Sequence, residues 1–130
     1  MRSTATVAAI VCFGSLAITN FSFADSSAIH TMAEITINLN HYPSESDKQE
    51  LAAIINSSQS SQAEIAVATA IANIEHKVTS ADKEKVKVNI ADESTPAELR
   101  ELASIVININ HRPTESDIAE LEKIVAELSR

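Results

Sequence analysis

An internal repeat of about 35 residues constrains this chain more than any other feature. The segment AEITINLNHYPSESDKQELAAII, which starts at Ala33, aligns without gaps with ASIVININHRPTESDIAELEKIV, which starts at Ala103, and more than half of the aligned residues are identical. A fainter copy, ATAIANIEHKVTSADKEKVKVNI, starts midway at Ala68. Four positions carry the same residue in all three copies: Ala33, Ala68 and Ala103; Asn38, Asn73 and Asn108; His41, His76 and His111; and Asp47, Asp82 and Asp117. The chain is therefore expected to fold as three related units.

Each unit has the sequence pattern of two helices. In the first half, apolar residues recur at helical spacings, as in Val67, Ile71 and Ile74, which places them on one helix face. The second half opens with a hydroxyl residue three positions before the repeated Asp, a variant of the capping box that starts helices. These hydroxyl residues are Ser44, Thr79 and Thr114. We predict an all-α fold of about six helices, arranged as three helical hairpins of about 35 residues over approximately 26–58, 62–92 and 96–130.

Three short segments support a different interpretation, an α+β fold. ITINLN, VKVNI and IVININ alternate between apolar and polar residues with a period of two, as half-buried strands do. Tight turns between strands usually need glycine, and the chain has a single glycine, Gly14. We therefore favour helices over strands, with loops at 57–62 and 92–95.

Residues 1–24 have the three-part pattern of a secretory signal peptide. Arg2 is their one charged residue, an apolar stretch follows, and Ser22-Phe23-Ala24 puts small residues where a cleavage site needs them. The apolar stretch is shorter than the roughly 20 residues of a spanning helix, which disfavours a retained membrane anchor. We predict cleavage after Ala24, a single domain over 25–130 with no membrane span, and export to the periplasm or the medium.

Composition argues against several classes of function. Acidic residues outnumber basic ones by 18 to 10, which gives a formal net charge of -8 and disfavours a surface that binds nucleic acid. The single Cys, Cys12, lies inside the predicted signal peptide. The exported domain then has no disulfide framework and no catalytic Cys–His pair. We predict no enzyme activity, no catalytic residue and no cofactor.

The repeated Asn and His residues are the candidate site. On a helix, a spacing of three makes Asn38 a neighbour of His41, and the same holds for Asn73 with His76 and Asn108 with His111. Each His is expected at the end of a first helix, where it contacts the terminal carbonyls. The same six side chains could instead form a polar row that binds the backbone of a partner.

A metal site is the other use that these repeats allow. Three imidazoles, together with the carboxylates of Asp47, Asp82 and Asp117, could hold a divalent ion. Stacked repeats, however, keep equivalent side chains about 10 Å apart, so no metal ligand is expected among them. We predict a small exported, non-catalytic helical protein that binds an unidentified protein or peptide partner. The alternative is a metal-binding periplasmic protein that uses the repeated His and Asp positions.

Overall fold

The computed structural model describes residues 23–130, and within this range the chain forms six α-helices and no β-strand. The helices are α1 (Phe23–Ile37), α2 (Glu45–Asn56), α3 (Gln62–Ala72), α4 (Ser80–Ile90), α5 (Ala97–Val106) and α6 (Glu115–Leu128). The all-α class expected from the sequence is confirmed. Of the predicted signal peptide, residues 1–22 lie outside the described residues. None of the helices within 23–130 combines the length and the apolarity that crossing a bilayer requires.

Reciprocal side-chain caps start α2 and α6, as the repeated pattern predicts. The Ser44 hydroxyl accepts a hydrogen bond from the Asp47 N–H at 3.1 Å, and the Asp47 carboxylate accepts one from the Ser44 N–H at 2.9 Å. Thr114 and Asp117 make the same two bonds at 3.2 and 2.8 Å. Each pair satisfies two backbone N–H groups that the first turn of a helix leaves without a partner.

The middle copy of the pattern works differently. The Thr79 hydroxyl still accepts from the Asp82 N–H, at 3.1 Å, but the Asp82 carboxylate accepts from the Asn73 side-chain amide at 3.2 Å. Asp82 is buried, so it links the end of α3 to the start of α4. A further reciprocal cap, between Ser61 and Glu64, starts α3; the repeat alignment does not reveal it.

The three alternating segments are not strands, so the α+β alternative is wrong for the described residues. VKVNI lies inside α4, whereas ITINLN and IVININ begin in the last turns of α1 and α5 and run into the connections that follow. Leu39 and Ile109, in those connections, are buried although the helices have ended. The period of two therefore reflects a helix end followed by a turn whose alternate residues are buried.

The helices pack in a closed arrangement. α1, α3 and α5 contact one another, while α2 packs against α1 and α3, α4 against α3 and α5, and α6 against α5 and α1. The core between them is aliphatic and includes Ile29, Met32, Leu51, Val67, Ile71, Val86, Leu99, Leu102, Leu121 and Ile124. Burial of these side chains is the main stabilising contribution that this composition offers.

The two ends of the described chain lie next to each other. Ser26 and Ser27, at the start of α1, line the same crevice as Ser129 and Arg130. The His30 ring nitrogen Nε2 lies 3.1 Å from the Ser129 hydroxyl, within hydrogen-bond distance. α6 thus ends beside the point where α1 begins.

Candidate metal centre

The three repeated His residues lie in the connections between helices. Each of them follows the last residue of α1, α3 or α5 by four or five positions. His41, His76 and His111 have φ angles of 69°, 70° and 71°, which is the left-handed region that favours glycine. The expectation that these residues end the first helices is therefore wrong. We refer to the three residues as the His triad.

Buried residues on both sides fix each His turn. The residues two positions before the triad, Leu39, Ile74 and Ile109, are buried, and so are those two positions after it, Pro43, Val78 and Pro113. In the first turn, the Tyr42 N–H donates to the Asn40 carbonyl at 2.9 Å. This bond, combined with the positive φ of the residue between them, defines a γ-turn of the rare, strained kind. Each His thus stands at the tip of a tight turn that is anchored in the core.

A ring of backbone hydrogen bonds joins the three tips. The His41 N–H donates to the His111 carbonyl at 2.6 Å, the His111 N–H to the His76 carbonyl at 2.5 Å, and the His76 N–H to the His41 carbonyl at 2.7 Å. Every member of the triad is therefore both a donor and an acceptor. Because each turn depends on the next, the ring fixes the three Cα positions relative to one another.

The three imidazole rings converge above this backbone ring. The ring centroid of His41 lies 5.2 Å from the centroid of His76 and 5.2 Å from that of His111. The centroids of His76 and His111 are 5.1 Å apart. Each ring has one nitrogen atom that lies within 4.8 Å of the corresponding nitrogen atoms of the other two rings. The spacing of about 10 Å expected for stacked repeats is wrong, because the closed arrangement turns the three tips toward one point.

Neighbouring amides set the proton position on two of the rings. The Nδ1 atom of His41 lies 2.6 Å from the Asn40 side-chain oxygen, and Nδ1 of His111 lies 2.8 Å from that of Asn110. With the amide oxygen as the acceptor, Nδ1 is the donor and carries the proton. The lone pair of each ring then resides on Nε2, which can bind a metal, and such a bond orients the ring as in known metal sites.

The left-handed backbone has a cost that suggests a purpose. A residue other than glycine held in this region costs about 1–3 kcal/mol, and glycine at the same position would avoid most of it. Histidine nevertheless occupies all three tips. The imidazole side chain, rather than the shape of the turn, accounts best for the choice of residue, and observed strain of this kind is concentrated at functional sites.

The side chains of the repeated Asn residues form their hydrogen bonds with groups other than the His triad. The side-chain amides of Asn38 and Asn108 donate to the carbonyls of Glu34 and Ser104, at 2.9 and 2.8 Å, and so satisfy carbonyl groups at the ends of α1 and α5. Asn73 donates to Asp82 instead. The expected Asn–His neighbours do not form, because α1 ends at Ile37 and α5 ends at Val106.

The repeated Asp residues also lie apart from the triad, since Asp47, Asp82 and Asp117 act in helix caps. The residues that sequence reasoning missed are Asn40 and Asn110, each directly before a His. The outer copies share this Asn, but the middle copy has Glu75 at the equivalent position, so the comparison of all three copies does not select it.

Comparisons of the chain with models of known protein families, with curated proteins and with solved structures found no match.

Proposed function

We propose that this protein binds one divalent transition-metal ion through the His triad. The observation that carries the proposal is the convergence of three imidazoles, with ring nitrogens within 4.8 Å of one another, on three left-handed backbone positions. Three His ligands with one position left for water are a known form of zinc site. Of the two functions considered from the sequence, the metal-binding alternative has the stronger support.

The size of the cluster suits a first-row metal after a small inward movement of the rings. A tetrahedral ion with metal–nitrogen distances of about 2.0–2.1 Å separates its ligand atoms by about 3.4 Å. The ring nitrogens, which lie within 4.8 Å of one another, must therefore approach by at most about 1.4 Å. His76 and His111 are exposed, so side-chain torsions alone can supply this movement, while the backbone ring stays in place.

The donor atoms define the class of metal. Imidazole suits zinc, copper, nickel and cobalt, whereas calcium and magnesium require oxygen ligands. Within residues 23–130, the cluster contains three imidazoles and no carboxylate. We therefore propose zinc or a neighbouring late transition metal, and the ranking of affinities is expected to follow the usual order for nitrogen sites, with copper(II) the tightest.

We further propose that the site is built from three helical hairpins, each contributing one His from the turn between its two helices. The repeated sequence and the equivalent positive φ angles support this arrangement. We also propose that the protein has no enzyme activity and acts after export, in the periplasm or the medium, once residues 1–24 have been removed. Its role there is to hold the ion.

A protein or peptide partner is the second candidate, and a groove beside His76 favours it. The groove has a volume of about 850 Å³ and is lined by residues that include Tyr42, Lys48 and Lys77. The two proposals differ in their dependence on metal. A partner bound by the groove alone is captured equally well in the presence of a chelator, whereas the metal-binding function is lost there.

Isothermal titration of chelator-treated protein with zinc, copper(II), nickel and cobalt tests the metal proposal. We expect one ion per chain, and we expect His76→Ala and His111→Ala to lose binding. His30→Ala is the matched control, because His30 lies outside the triad and contacts Glu34 and Ser129. Circular dichroism checks that each variant remains folded. Absence of stoichiometric binding, or binding that survives His76→Ala, refutes the proposal.

A further inference from the structure

The His triad leaves a bound metal incompletely coordinated. A tetrahedral ion takes four ligands, and within residues 23–130 no Cys, Asp, Glu or further His joins the three imidazoles. Two of the three rings are exposed, so the triad opens to solvent on one side. The fourth ligand must then be water or an atom from another molecule.

The groove beside His76 adjoins one of the two exposed rings of the triad. His76 itself forms part of the groove wall, together with Tyr42, Lys48, Glu75 and Lys77. At about 850 Å³, the groove is within the range of sites for small molecules, which is roughly 300–1,000 Å³. A ligand seated there therefore lies beside one of the three proposed metal ligands.

The charges around the open position favour an anion. Three neutral imidazoles leave the full double charge of the metal uncompensated. Lys77 directly follows His76 and Arg112 directly follows His111, and the three ion pairs found among the described residues include neither of them. Although the formal net charge of the whole chain is -8, the charge of the ion and the Lys77 side chain beside His76 favour an anion at this position.

A single negative charge fits the groove better than a double one. Lys48 is already paired with Glu45 at 3.0 Å, and the groove wall also contains the carboxylate of Glu75. A dianion such as phosphate thus lacks the surplus of positive side chains that phosphate sites usually provide. Carboxylate oxygens, by contrast, are common zinc ligands at about 2.0–2.2 Å.

We infer that the groove receives a carboxylate, whose oxygen completes the coordination sphere of the metal and whose charge is attracted by Lys77. This inference rests on the proposed metal-binding function. The carboxylate can come from a free small acid or from the carboxyl terminus of a peptide, and both present the same group to the metal.

Visible absorption of the cobalt(II)-loaded full chain tests the inference, because the spectrum of cobalt(II) changes with its ligands and coordination number. We expect acetate to change the spectrum in a saturable way. Acetyl-trialanine with a free carboxyl terminus should do so as well, and its amidated form should not. Tighter binding of the free-acid peptide than of acetate identifies a peptide as the source, and equal binding identifies a small acid.

Variants separate the role of the groove from that of the metal. Lys77→Gln should weaken acetate binding roughly threefold to tenfold, the scale of a single charge next to a bound anion, and should leave cobalt bound. Lys85→Gln, an exposed lysine on α4, is the matched control and should change nothing.

Three outcomes overturn the inference without touching the metal proposal. They are a cobalt spectrum that does not respond to any carboxylate, a phosphate affinity above that of acetate, and a response that appears only in Glu75→Gln. The last result would mean that Glu75 itself fills the fourth position. Failure to load cobalt at all, in contrast, refutes the proposed function together with the inference.

Discussion

A histidine at positive φ strains the backbone but places an imidazole at the tip of a turn. The residues two positions before and after each His are buried, so the turn is anchored in the core on both sides. Three such tips, joined by backbone hydrogen bonds, keep the backbones that carry the three imidazoles at fixed positions. Most of the entropy that assembling a three-ligand site would cost is therefore spent when the protein folds, before any ion arrives.

Replacing one triad residue by glycine should separate stability from function. His76→Gly removes the left-handed strain, so the metal-free variant should exceed His76→Ala in stability by about 1 kcal/mol, although both variants lose metal binding. Urea unfolding in the presence of a chelator measures the difference. If the alanine variant is as stable as the glycine variant, the positive φ carries no strain and the functional reading of the turn loses its energetic basis.

At the scale of single residues, the sequence identifies the His triad but does not predict the tight turns in which the three residues lie. The repeat identifies His41, His76 and His111 directly, because identity in three copies needs no structural knowledge. The turns escape detection since glycine, the usual sign of a positive φ, is absent from them. Asn40 and Asn110 escape because the middle copy replaces their equivalent with Glu75.

At the scale of helices, the reciprocal caps are the clearest local determinants of where each element starts. We expect Ser44→Ala and Thr114→Ala each to cost about 1 kcal/mol, the usual loss for an N-cap, because each change leaves a backbone N–H of the first turn without its acceptor. Thermal unfolding should show a decrease of about 4–8 °C for a domain of this size. Ser46→Ala, at an exposed position in the first turn of α2, is the control and should be neutral or slightly stabilising.

The packing of α5 against α6 brings two carboxyl groups together. Burial, followed by the nearby Glu120 carboxyl, raises the pKa of Glu101 above its ordinary value. The folded state therefore holds the Glu101 proton more tightly than the unfolded state does. As a result, this group favours folding as the pH falls through its raised pKa and opposes folding when it is ionised.

Glu101→Gln should consequently stabilise the protein at pH 7, by only roughly 1–3 °C in melting temperature, since the group is partly exposed and solvent screens its interactions. At a pH below the ordinary pKa of glutamate the advantage should vanish, because Glu101 is then neutral in both states. Glu122→Gln, on the exposed face of α6, is the comparison. An equal effect of both substitutions at pH 7 would assign the gain to net charge rather than to the α5–α6 contact.

The helices are well predicted because their caps and the spacing of their apolar residues are local signals. The structure contains both, as α2 and α6 show. The ambiguity of ITINLN and IVININ is equally physical. A helix end followed by a turn with alternate buried residues has the same hydropathy pattern as a short strand, and no local rule distinguishes the two. What decides is the tertiary contact that buries Leu39 and Ile109.

At the scale of the whole molecule, the closed packing determines that the three His residues converge. An open stack keeps equivalent side chains one repeat apart, whereas contact of α6 with α1 turns the three connections toward a common point. Nothing in the local sequence distinguishes these two arrangements, because both bury the same apolar faces. The convergence of the triad is therefore a tertiary property that the repeat pattern alone does not predict.

Processing is tested on the whole exported product. Because Ser22-Phe23-Ala24 fits the small-residue rule of signal peptidase, we expect mature protein recovered from the periplasm or the medium to begin at Asp25. Intact-mass spectrometry measures this directly, and substitution of Ala24 by a bulky residue should block the cleavage. Recovery of a membrane-bound product that retains residues 1–24 would contradict the expectation.

The adjacency of the two chain ends, where Ser26 and Ser27 share a crevice with Ser129 and Arg130, has a consequence for the genetics of this fold. A short linker can join the described ends, and a new start can be placed at the exposed residues 91–94 without breaking any helix. Such circular permutation is tolerated where termini lie close together at the surface. A chain permuted in this way makes α5 and α6 before α1 to α4, and we expect it to reach the same packing.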